Sequence, residues 1–432
     1  MAREDIRILV FTVPSWNSRV GANSWATFLD KYDSEKIAAL YLRDEVPDSP
    51  VCSRYFHISE NKIIKSVLKR WMKTGNEVIP CADDSDGEDL AEHNERYQKM
   101  QRKRRYSMLL AREVIWKLGR WKTKELNEFL DDFKPDIILH SMDGYIHMNR
   151  IIEYAIKRTG AKAIGYIWDD NFTYKQSSKL GYKIYRYFQR KSLKRLAKKT
   201  SDFFAITDMT KKEADEFFNI NCKILTKPLN RVPCVNYEKT EFPLNILYTG
   251  SLIIGRDNSL ERVSEAIRRI NEDGDYFRLS VYTQTQLSQE KKERIEGEHC
   301  RINEPIPQSE ALEKQRQADV LLFLEDIDGP DSKVARLSFS TKITDYLSSG
   351  KCILAVGCKD TAPLQYFTEN NIALTAGSTE EIESALRSLI RDADLVREYA
   401  ENAKNIGIKN HSPERIQGVF DSALESVLNK AE

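Results

Sequence analysis

The sequence has no run of apolar residues near the roughly 18 that a membrane-spanning helix requires. Its start enters the apolar segment Ile6–Val13 without the basic region, longer apolar core and small-residue site of a secretory signal. The seven cysteines are scattered and form no C-x-x-C pattern, which favours reduced thiols and argues against a zinc site. Lys and Arg (67) balance Asp and Glu (66), so the basic excess typical of nucleic-acid-binding proteins is missing. We therefore expect a cytoplasmic protein with no metal ion and no nucleic-acid partner.

Short apolar runs alternate with helical stretches along most of the chain, in two series. The first series predicts strands at Ile6–Val13, Ile37–Leu42, Ile137–His140, Ala163–Ile167, Phe203–Thr207 and Lys223–Leu225. The second predicts strands at Asn245–Tyr248, Phe277–Thr283, Val320–Leu324, Cys352–Val356 and Ile372–Leu374. Such alternation is typical of parallel sheets built from βαβ units. The prediction is an α/β fold of two Rossmann-like doubly wound parallel-sheet domains, which 432 residues can form.

The two series are separated by a proline-punctuated polar stretch at 229–243, which is typical of an interdomain linker. We predict a first domain over residues 1–230, with a helical insertion at about 59–130, and a second domain over 231–412. The amphipathic pattern after Pro413 predicts a final helix over 413–432, which we expect to cross back to the first domain.

The segment from Ser338 to Gly350 has the pattern of a capped helix. Ser338 or Ser340 can cap its start, and Gly350 can end it. The start of such a helix offers free backbone N–H groups and the positive end of the helix dipole, which suit a diphosphate. On the same face, Lys342 suits a phosphate and Asp345 suits ribose hydroxyls. A capped surface helix with a local ion pair explains the same pattern.

Two other loops of the second half follow predicted strands. Gly250 and Ser251 come after the strand at 245–248, and a glycine there lets the backbone approach a ligand closely. Arg256, in the loop that follows, can reach a phosphate with its planar, permanently charged guanidinium. Ile306 lies between two prolines, in an extended loop whose backbone can read a nucleobase. Taken singly, each loop is explained as well by an ordinary connection.

Taken in order, these segments resemble the donor-binding half of retaining GT-B glycosyltransferases, the group that includes glycogen synthases and bacterial mannosyltransferases. The resemblance covers roughly residues 245–390. It implies two domains that face a central cleft, and a nucleotide diphosphate-sugar that is a substrate, with no separate cofactor. It also implies two cations, Arg256 and Lys342, that act in catalysis by facing the diphosphate. The implied donor-binding residues are Gly250, Ser251, Ile306, Ser340, Thr341 and Asp345.

The sequence departs from this group at one acidic position. The group usually carries Glu-x7-Glu in the last of these segments, and here Asp345 stands at the second acidic place while Leu337 stands at the first. A carboxylate beside the transferred sugar is therefore missing from its usual place. Glu325 and Asp331 are the candidates to replace it.

Three residues of the first domain are further candidates. Gly21, in the loop after the first strand, resembles the glycine with which these enzymes face the donor, and we predict that it binds the donor. His140 and Asp169 lie at the carboxyl ends of predicted strands and are predicted to be catalytic. The resemblance implies a histidine beside the transferred sugar near His140. A plain turn at Gly21 and capping roles for His140 and Asp169 are the alternatives.

Basic amphipathic stretches at 65–73, 101–124 and 182–199 lie in the first half of the chain. Such helices can lie on an anionic membrane surface, which predicts peripheral attachment to the inner face of the plasma membrane. Alternatively, each helix buries its apolar side chains in its own domain, or the cations meet the acidic stretch at 83–89.

These features together predict a metal-independent, retaining glycosyltransferase. It would move a sugar from a nucleotide diphosphate-sugar to a glycan or lipid-linked acceptor in cell-surface polysaccharide biosynthesis. A sugar-nucleotide 2-epimerase of the same architecture is an alternative, although it needs acid–base groups around the sugar and the chain has only six histidines. A bilobal sugar-binding protein and a catalytically silent scaffold, which Leu337 would suit, are the others.

Overall fold

The computed structural model describes residues 5–16, 24–80, 106–235 and 241–429. The chain divides into two compact units. The first comprises Met1–Leu225 with Val419–Glu432, and the second comprises Thr226–Gly418. Gly21 and the acidic stretch at 83–89 lie outside the described residues.

The first unit is built on an eight-stranded sheet with the order β4-β3-β2-β1-β5-β6-β7-β8. The strands are β1 (Ile8–Phe11), β2 (Ile37–Tyr41), β3 (Arg54–Ile58), β4 (Gly75–Val78), β5 (Ile137–Ser141), β6 (Lys162–Ile167), β7 (Asp202–Ala205) and β8 (Lys223–Ile224). Neighbouring strands are parallel except for β3 and β4. The strand order reverses between β1 and β5, which makes the sheet doubly wound.

The first unit contains helices α1 to α7. They are α1 (Ser24–Leu29), α2 (Glu60–Ser66), α3 (Tyr106–Leu118), α4 (Lys124–Phe133), α5 (Ile146–Thr159), α6 (Leu180–Ala197) and α7 (Asp208–Phe218). The predicted helical insertion at 59–130 contains α2 and α3, but it also contains the antiparallel edge strand β4.

The second unit is built on a six-stranded parallel sheet with the order β11-β10-β9-β12-β13-β14. The strands are β9 (Leu244–Thr249), β10 (Phe277–Tyr282), β11 (Cys300–Asn303), β12 (Val320–Leu324), β13 (Cys352–Val356) and β14 (Leu374–Ala376). The helices are α8 (Arg256–Asn271), α9 (Gln289–Ile295), α10 (Gln308–Gln317), α11 (Thr341–Ser349), α12 (Ala362–Glu369), α13 (Thr379–Arg391), α14 (Asp394–His411) and α15 (Pro413–Asn429).

The central strands of both sheets are apolar throughout. Every residue of β5, β12 and β13 is buried. Parallel strands have this composition because helices cover both faces of the sheet, so no residue of the strand faces water. The predicted α/β fold of two doubly wound parallel sheets is therefore confirmed, with one antiparallel strand at an edge of the first sheet.

The final helix, α15, ends within the first unit. Phe420 is fully buried there, and its ring stacks on Phe28 at a centroid distance of 5.5 Å and on Phe204 at 6.1 Å. The hydroxyl of Tyr32 donates to the carboxylate of Asp421 at 2.6 Å. These contacts fix the last turns of the chain to the unit that contains its first strand.

Candidate functional site

The candidate site lies where the second sheet changes direction, between β9 and β12. From β9 the order runs through β10 and β11 to one edge, and from β12 it runs through β13 and β14 to the other. Ligands of doubly wound sheets bind beyond the carboxyl ends of the strands at this reversal. The residues that follow β9 and β12 are therefore placed where such a ligand binds.

Gly250 follows β9 directly and has a φ of 132°, a conformation that favours glycine. Its N–H donates to the carbonyl of Tyr282 at 2.9 Å. A Cβ added to Gly250 would lie 2.2 Å from Nζ of Lys342, so a larger residue would displace the lysine. The glycine thus permits a close approach, and the side chain that approaches it is that of Lys342.

The helix α11 begins with the capping predicted from the sequence. Ser340 is the N-cap, and its hydroxyl accepts a hydrogen bond from the Lys342 N–H at 3.3 Å. Thr341 is the first helical residue and is exposed. Gly350 ends the helix with a φ of 70°. The capped helix is therefore confirmed, and it is Ser340 that caps it.

The amine of Lys342 is held over the ring of Tyr248. Its Nζ lies 4.3 Å from the ring centroid and donates to the Tyr248 hydroxyl at 3.1 Å. That hydroxyl donates its own hydrogen to the carbonyl of Ser251 at 2.7 Å, so it can only accept from the lysine. Burial, and next the charge of Arg256, lower the pKa of Lys342 to about 7, although Glu325 oppose this shift. The lysine is therefore a cation that an anionic ligand would strengthen.

Arg256 is the first residue of α8 and is paired with Glu325, which follows β12. Its Nη2 donates to both carboxylate oxygens of Glu325, at 2.9 and 3.1 Å, and its Nε donates to the Leu324 carbonyl at 3.1 Å. Glu325 is buried. The sequence analysis treats Arg256 as a solvent-facing cation, and this part of the interpretation is wrong because the guanidinium already has a buried counter-ion.

A loop after Glu325 supports the start of α8, and sequence reasoning did not single it out. The buried carboxylate of Asp326 accepts from the backbone N–H groups of Gly329, Asp331 and Ser332, at 3.2, 3.0 and 3.1 Å. Gly255, which precedes Arg256, has a φ of 73°, and a Cβ on it would lie 2.4 Å from the Asp326 carboxyl carbon. Asp326 therefore positions the turn from which Arg256 projects.

Asp345 is on the same helix as Lys342 but forms its ion pair elsewhere. Its Oδ1 accepts from Nζ of Lys227 at 2.7 Å and from the side-chain amide of Asn230 at 3.3 Å. A ribose hydroxyl would have to share this carboxylate with Lys227. The alternative of a local ion pair within α11 is also not what the structure contains, since the partner of Asp345 is 118 residues away.

Comparison with solved structures shows which fold these elements form. HepE from Anabaena, in complex with UDP, matches with a TM-score of 0.62 and 10% identity over 98% of this chain and 100% of that chain. Sucrose-phosphate synthase from Thermosynechococcus elongatus matches with a TM-score of 0.61 and 10% identity over 99% and 100%. Both are GT-B proteins. The chain has the GT-B fold.

The likeness to other GT-B structures is less extensive, and sequence comparison adds no relative. The GtfA/B complex matches with a TM-score of 0.54 and 11% identity over 71% of this chain, which spans 60% of that one. No protein family and no curated protein matches the chain by sequence.

Two predicted positions of the donor half of the GT-B fold lie away from Lys342. Leu337, at the first acidic place, is fully buried and belongs to the core. Ile306 is half-buried in the loop between β11 and α10, and β11 is two strands from β9 in the sheet. Its interpretation as a nucleobase contact stays a prediction.

The candidates in the first unit of this GT-B protein are held by local contacts. His140 lies within β5, is fully buried, and its Nε2 lies 3.1 Å from the Thr200 hydroxyl, while burial lowers its pKa to about 4. Asp169 follows β6 and is half-buried. Burial gives His140 no exposed surface in this structure, so a contact with a sugar requires a rearrangement around β5.

Replacement of Lys342 by methionine is expected to stabilise the unliganded protein. A folded-state pKa of about 7, below the ordinary value of 10.5, means that folding disfavours the charged amine. This cost is fully present below pH 7 and declines as the pH rises from 7 towards 10.5. The melting temperature of Lys342→Met should therefore exceed that of the wild type by a few degrees at acidic pH, about 2–4 °C per kcal/mol, with the gain shrinking at alkaline pH.

Calorimetric scans across this pH range test the expectation, with Lys333→Met, at an exposed lysine, as the control. A lower melting temperature for Lys342→Met at pH 6 would mean that the amine is a stabilising structural group.

Proposed function

We propose that this protein transfers a sugar from a nucleotide diphosphate-sugar to an acceptor hydroxyl. The observation that carries the proposal is the placement of Lys342. Its amine lies against Gly250 at the reversal of a doubly wound sheet, beside the Arg256–Glu325 pair. A cation with a lowered pKa next to a close backbone approach suits a diphosphate, and the capped start of α11 adds the positive end of its helix dipole.

In the proposed reaction, the bond between the anomeric carbon and the diphosphate oxygen breaks, and its electron pair leaves on the diphosphate. The acceptor oxygen forms the new bond to the anomeric carbon and releases its proton to a base or to solvent. Stabilising the charge that grows on the leaving diphosphate is the main demand of this reaction. Lys342 and the guanidinium of Arg256 are the groups that would meet it, so a metal ion is not part of the proposal.

The finer features of the proposal are supported by resemblance and by the company of the fold. HepE of Anabaena has been crystallised with UDP and with UDP-glucose, which makes uridine nucleotides the first donors to test. Retention of the anomeric configuration follows from the resemblance to retaining GT-B enzymes. A glycan or lipid-linked acceptor, in cell-surface polysaccharide biosynthesis, is the acceptor class that we propose.

Release of free nucleotide from a panel of nucleotide-sugars, with and without EDTA, tests the proposal. Release from one donor that is unaffected by EDTA supports metal-independent transfer or hydrolysis. Conversion of the donor to its epimer without release would support the 2-epimerase instead. Binding without release or epimer formation, with every acceptor class tried, would favour a silent scaffold.

A nucleoside diphosphate alone is expected to raise the melting temperature, because the proposed contacts are to phosphate and ribose. A ligand at a hundredfold excess over its Kd stabilises a protein by about 2.7 kcal/mol. Thermal scans with UDP, GDP, ADP and TDP measure this effect, with the corresponding nucleosides as controls for binding without the diphosphate. The absence of a shift with all four diphosphates would contradict the proposed site.

A further inference from the structure

A basic and apolar surface lies on the first unit, away from the donor residues. It is formed by α2 and the turn after it, by α3 and by α6, and we call residues 61–73, 106–124 and 179–199 the α2–α3–α6 surface. Nη1 of Arg70, after α2, donates to the carbonyl of Leu118 at the end of α3, at 3.0 Å. The rings of Tyr106 in α3 and Tyr182 in α6 are in contact at 5.7 Å. The three segments are therefore adjacent.

Cations are concentrated in these segments. The whole chain has 67 basic and 66 acidic residues, but the three segments carry five, five and nine Lys or Arg and a single acidic residue, Glu113. Glu113 is buried and accepts a hydrogen bond from the His147 ring. The exposed charge contributed by the three segments is thus of one sign, in a protein whose overall charge is balanced.

Some of these cations have carboxylate partners from outside the segments. Arg195 and Lys199 pair with Glu153, and Lys73 pairs with Glu125. Others remain available, since among the described residues no ion pair is found for Lys65, Lys69, Lys183 and Lys191.

Large apolar side chains are exposed between these cations. Leu68 and Trp71, in the turn after α2, are the most exposed, at 88% and 77%. The other exposed apolar residues of the surface are Ile64, Met108, Val114, Leu118, Leu180, Ile184, Tyr187 and Phe188. A concentration of exposed apolar side chains marks an interaction site rather than an ordinary solvated surface.

The helix α6 has two distinct faces, which resolves the alternatives left by its sequence. Tyr182, Tyr185, Leu193 and Leu196 are buried, as expected for a helix packed on its own domain. Phe188, expected on that buried face, is exposed. The outer face is apolar over its first half and basic over its second, so packing of the inner face leaves it unpartnered within the described residues.

The chemistry of the whole surface selects its partner. A nucleic acid would satisfy the cations and stack on aromatic rings, but it offers nothing to exposed Leu, Ile, Val and Met side chains. An anionic bilayer offers headgroups for the cations and acyl chains for the apolar residues. Tryptophan is enriched at the membrane interface. Among the residues the structure describes, no helix could cross a bilayer, so contact would be made at the surface.

We propose that the α2–α3–α6 surface docks on an anionic bilayer, with Leu68 and Trp71 entering the interface and the surrounding lysines contacting lipid headgroups. The docking rests on the first unit alone and does not depend on the proposed transfer reaction. It also places the proposed enzyme where lipid-linked acceptors reside.

Sedimentation with phosphatidylcholine vesicles, with and without phosphatidylglycerol, tests the docking. Binding should require phosphatidylglycerol and should weaken steeply with salt, because the Debye length falls from about 10 Å at 0.1 M to 3 Å at 1 M. Loss of the apolar contact in Leu68→Ser/Trp71→Ser should lower the partition coefficient by about tenfold or more. Lys183→Glu/Lys191→Glu should abolish the preference for the anionic vesicles.

The matched control is Ile408→Ser/Lys409→Glu, which alters an exposed apolar residue and an exposed lysine of the second unit. It should bind vesicles like the wild type. Equal binding of the Leu68/Trp71 variant, or no binding of the wild type to anionic vesicles, would overturn the proposal. Binding of a short RNA at the same salt, without binding to vesicles, would assign the surface to nucleic acid instead.

Fluorescence provides a readout independent of affinity. Trp16, Trp25, Trp116 and Trp121 are buried, whereas Trp71 is largely exposed. Brominated lipids should therefore quench the wild type, and Trp71→Phe should lose most of this quenching while still binding. Quenching that persists in Trp71→Phe would show that the inserted segment is not this turn.

Discussion

Affinity for a nucleotide-sugar is expected to fall as the pH rises above about 7, by a factor that approaches tenfold per pH unit. The pKa of Lys342 is lowered to about 7 by burial and by the charge of Arg256. Below this pH the unliganded protein already carries the ammonium that a diphosphate needs, and affinity should be constant. Above it, binding must also take up a proton, so each further pH unit costs affinity until the pKa of the liganded lysine is reached.

The choice of ligand makes this measurement specific. A nucleoside diphosphate has a terminal phosphate that ionises near neutral pH and would add its own pH dependence. In a nucleotide-sugar both phosphates are esterified, so their charge is constant across the range. Titration calorimetry with a nucleotide-sugar in buffers of different ionisation enthalpy would also count the protons taken up.

Two variants of Lys342 separate its charge from its packing. Lys342→Arg keeps a cation at every pH in this range and should flatten the profile. Lys342→Met should remove the pH dependence and, if the amine stabilises the leaving diphosphate, lower kcat/KM by about 10²–10³. An affinity that is the same for the wild type at pH 6 and pH 9 would mean that the lysine does not contact the diphosphate.

The sequence predicts the central strands of this protein well and its edge strands poorly. β12 and β13 have the predicted bounds, because their continuous apolar runs are required by helices on both faces. The edge strands Gly75–Val78 and Cys300–Asn303 were not predicted, since they are short and half polar. Their sequences are not distinguishable from loops until pairing with a neighbour is known.

The local features of the candidate site were predictable, and its long-range pairs were not. The Ser340 cap and the Gly350 end of α11 depend on residues within one helix. The pairing of Arg256 with Glu325 joins residues 69 apart. Such a pair depends on which strands are neighbours, and no local pattern carries that information. Glu325, considered as a substitute for the acid missing at Leu337, is instead the counter-ion of Arg256.

Arg256→Ala is expected to lower both turnover and stability. Removal of the guanidinium leaves Glu325 buried without its counter-ion, and breaking a buried pair in this way costs about 3–5 kcal/mol. Loss of a cation that faces the leaving diphosphate should lower kcat/KM by about 10²–10³. The alanine variant alone therefore cannot tell a catalytic role from a structural one.

The double variant Arg256→Met/Glu325→Gln separates the two roles. It removes both charges, so no unpaired ion is left in the site, and its melting temperature should recover most of the loss seen in Arg256→Ala. Its kcat/KM should remain as low as that of Arg256→Ala, because the neutral pair offers nothing to a diphosphate. Arg262→Met/Asp328→Asn, which neutralises a more exposed ion pair of the same helix, is the matched control and should be active.

Nucleotide-sugar turnover and thermal unfolding, measured on the same preparations, decide the outcome. Recovery of turnover together with stability in the double variant would show that the Arg256–Glu325 pair serves only to hold α8 against the end of β12. Recovery of stability alone places the guanidinium in the reaction. In that case the counter-ion has a further use: Glu325 orients Arg256 in the unliganded protein, so the fork loses less conformational entropy when the diphosphate binds.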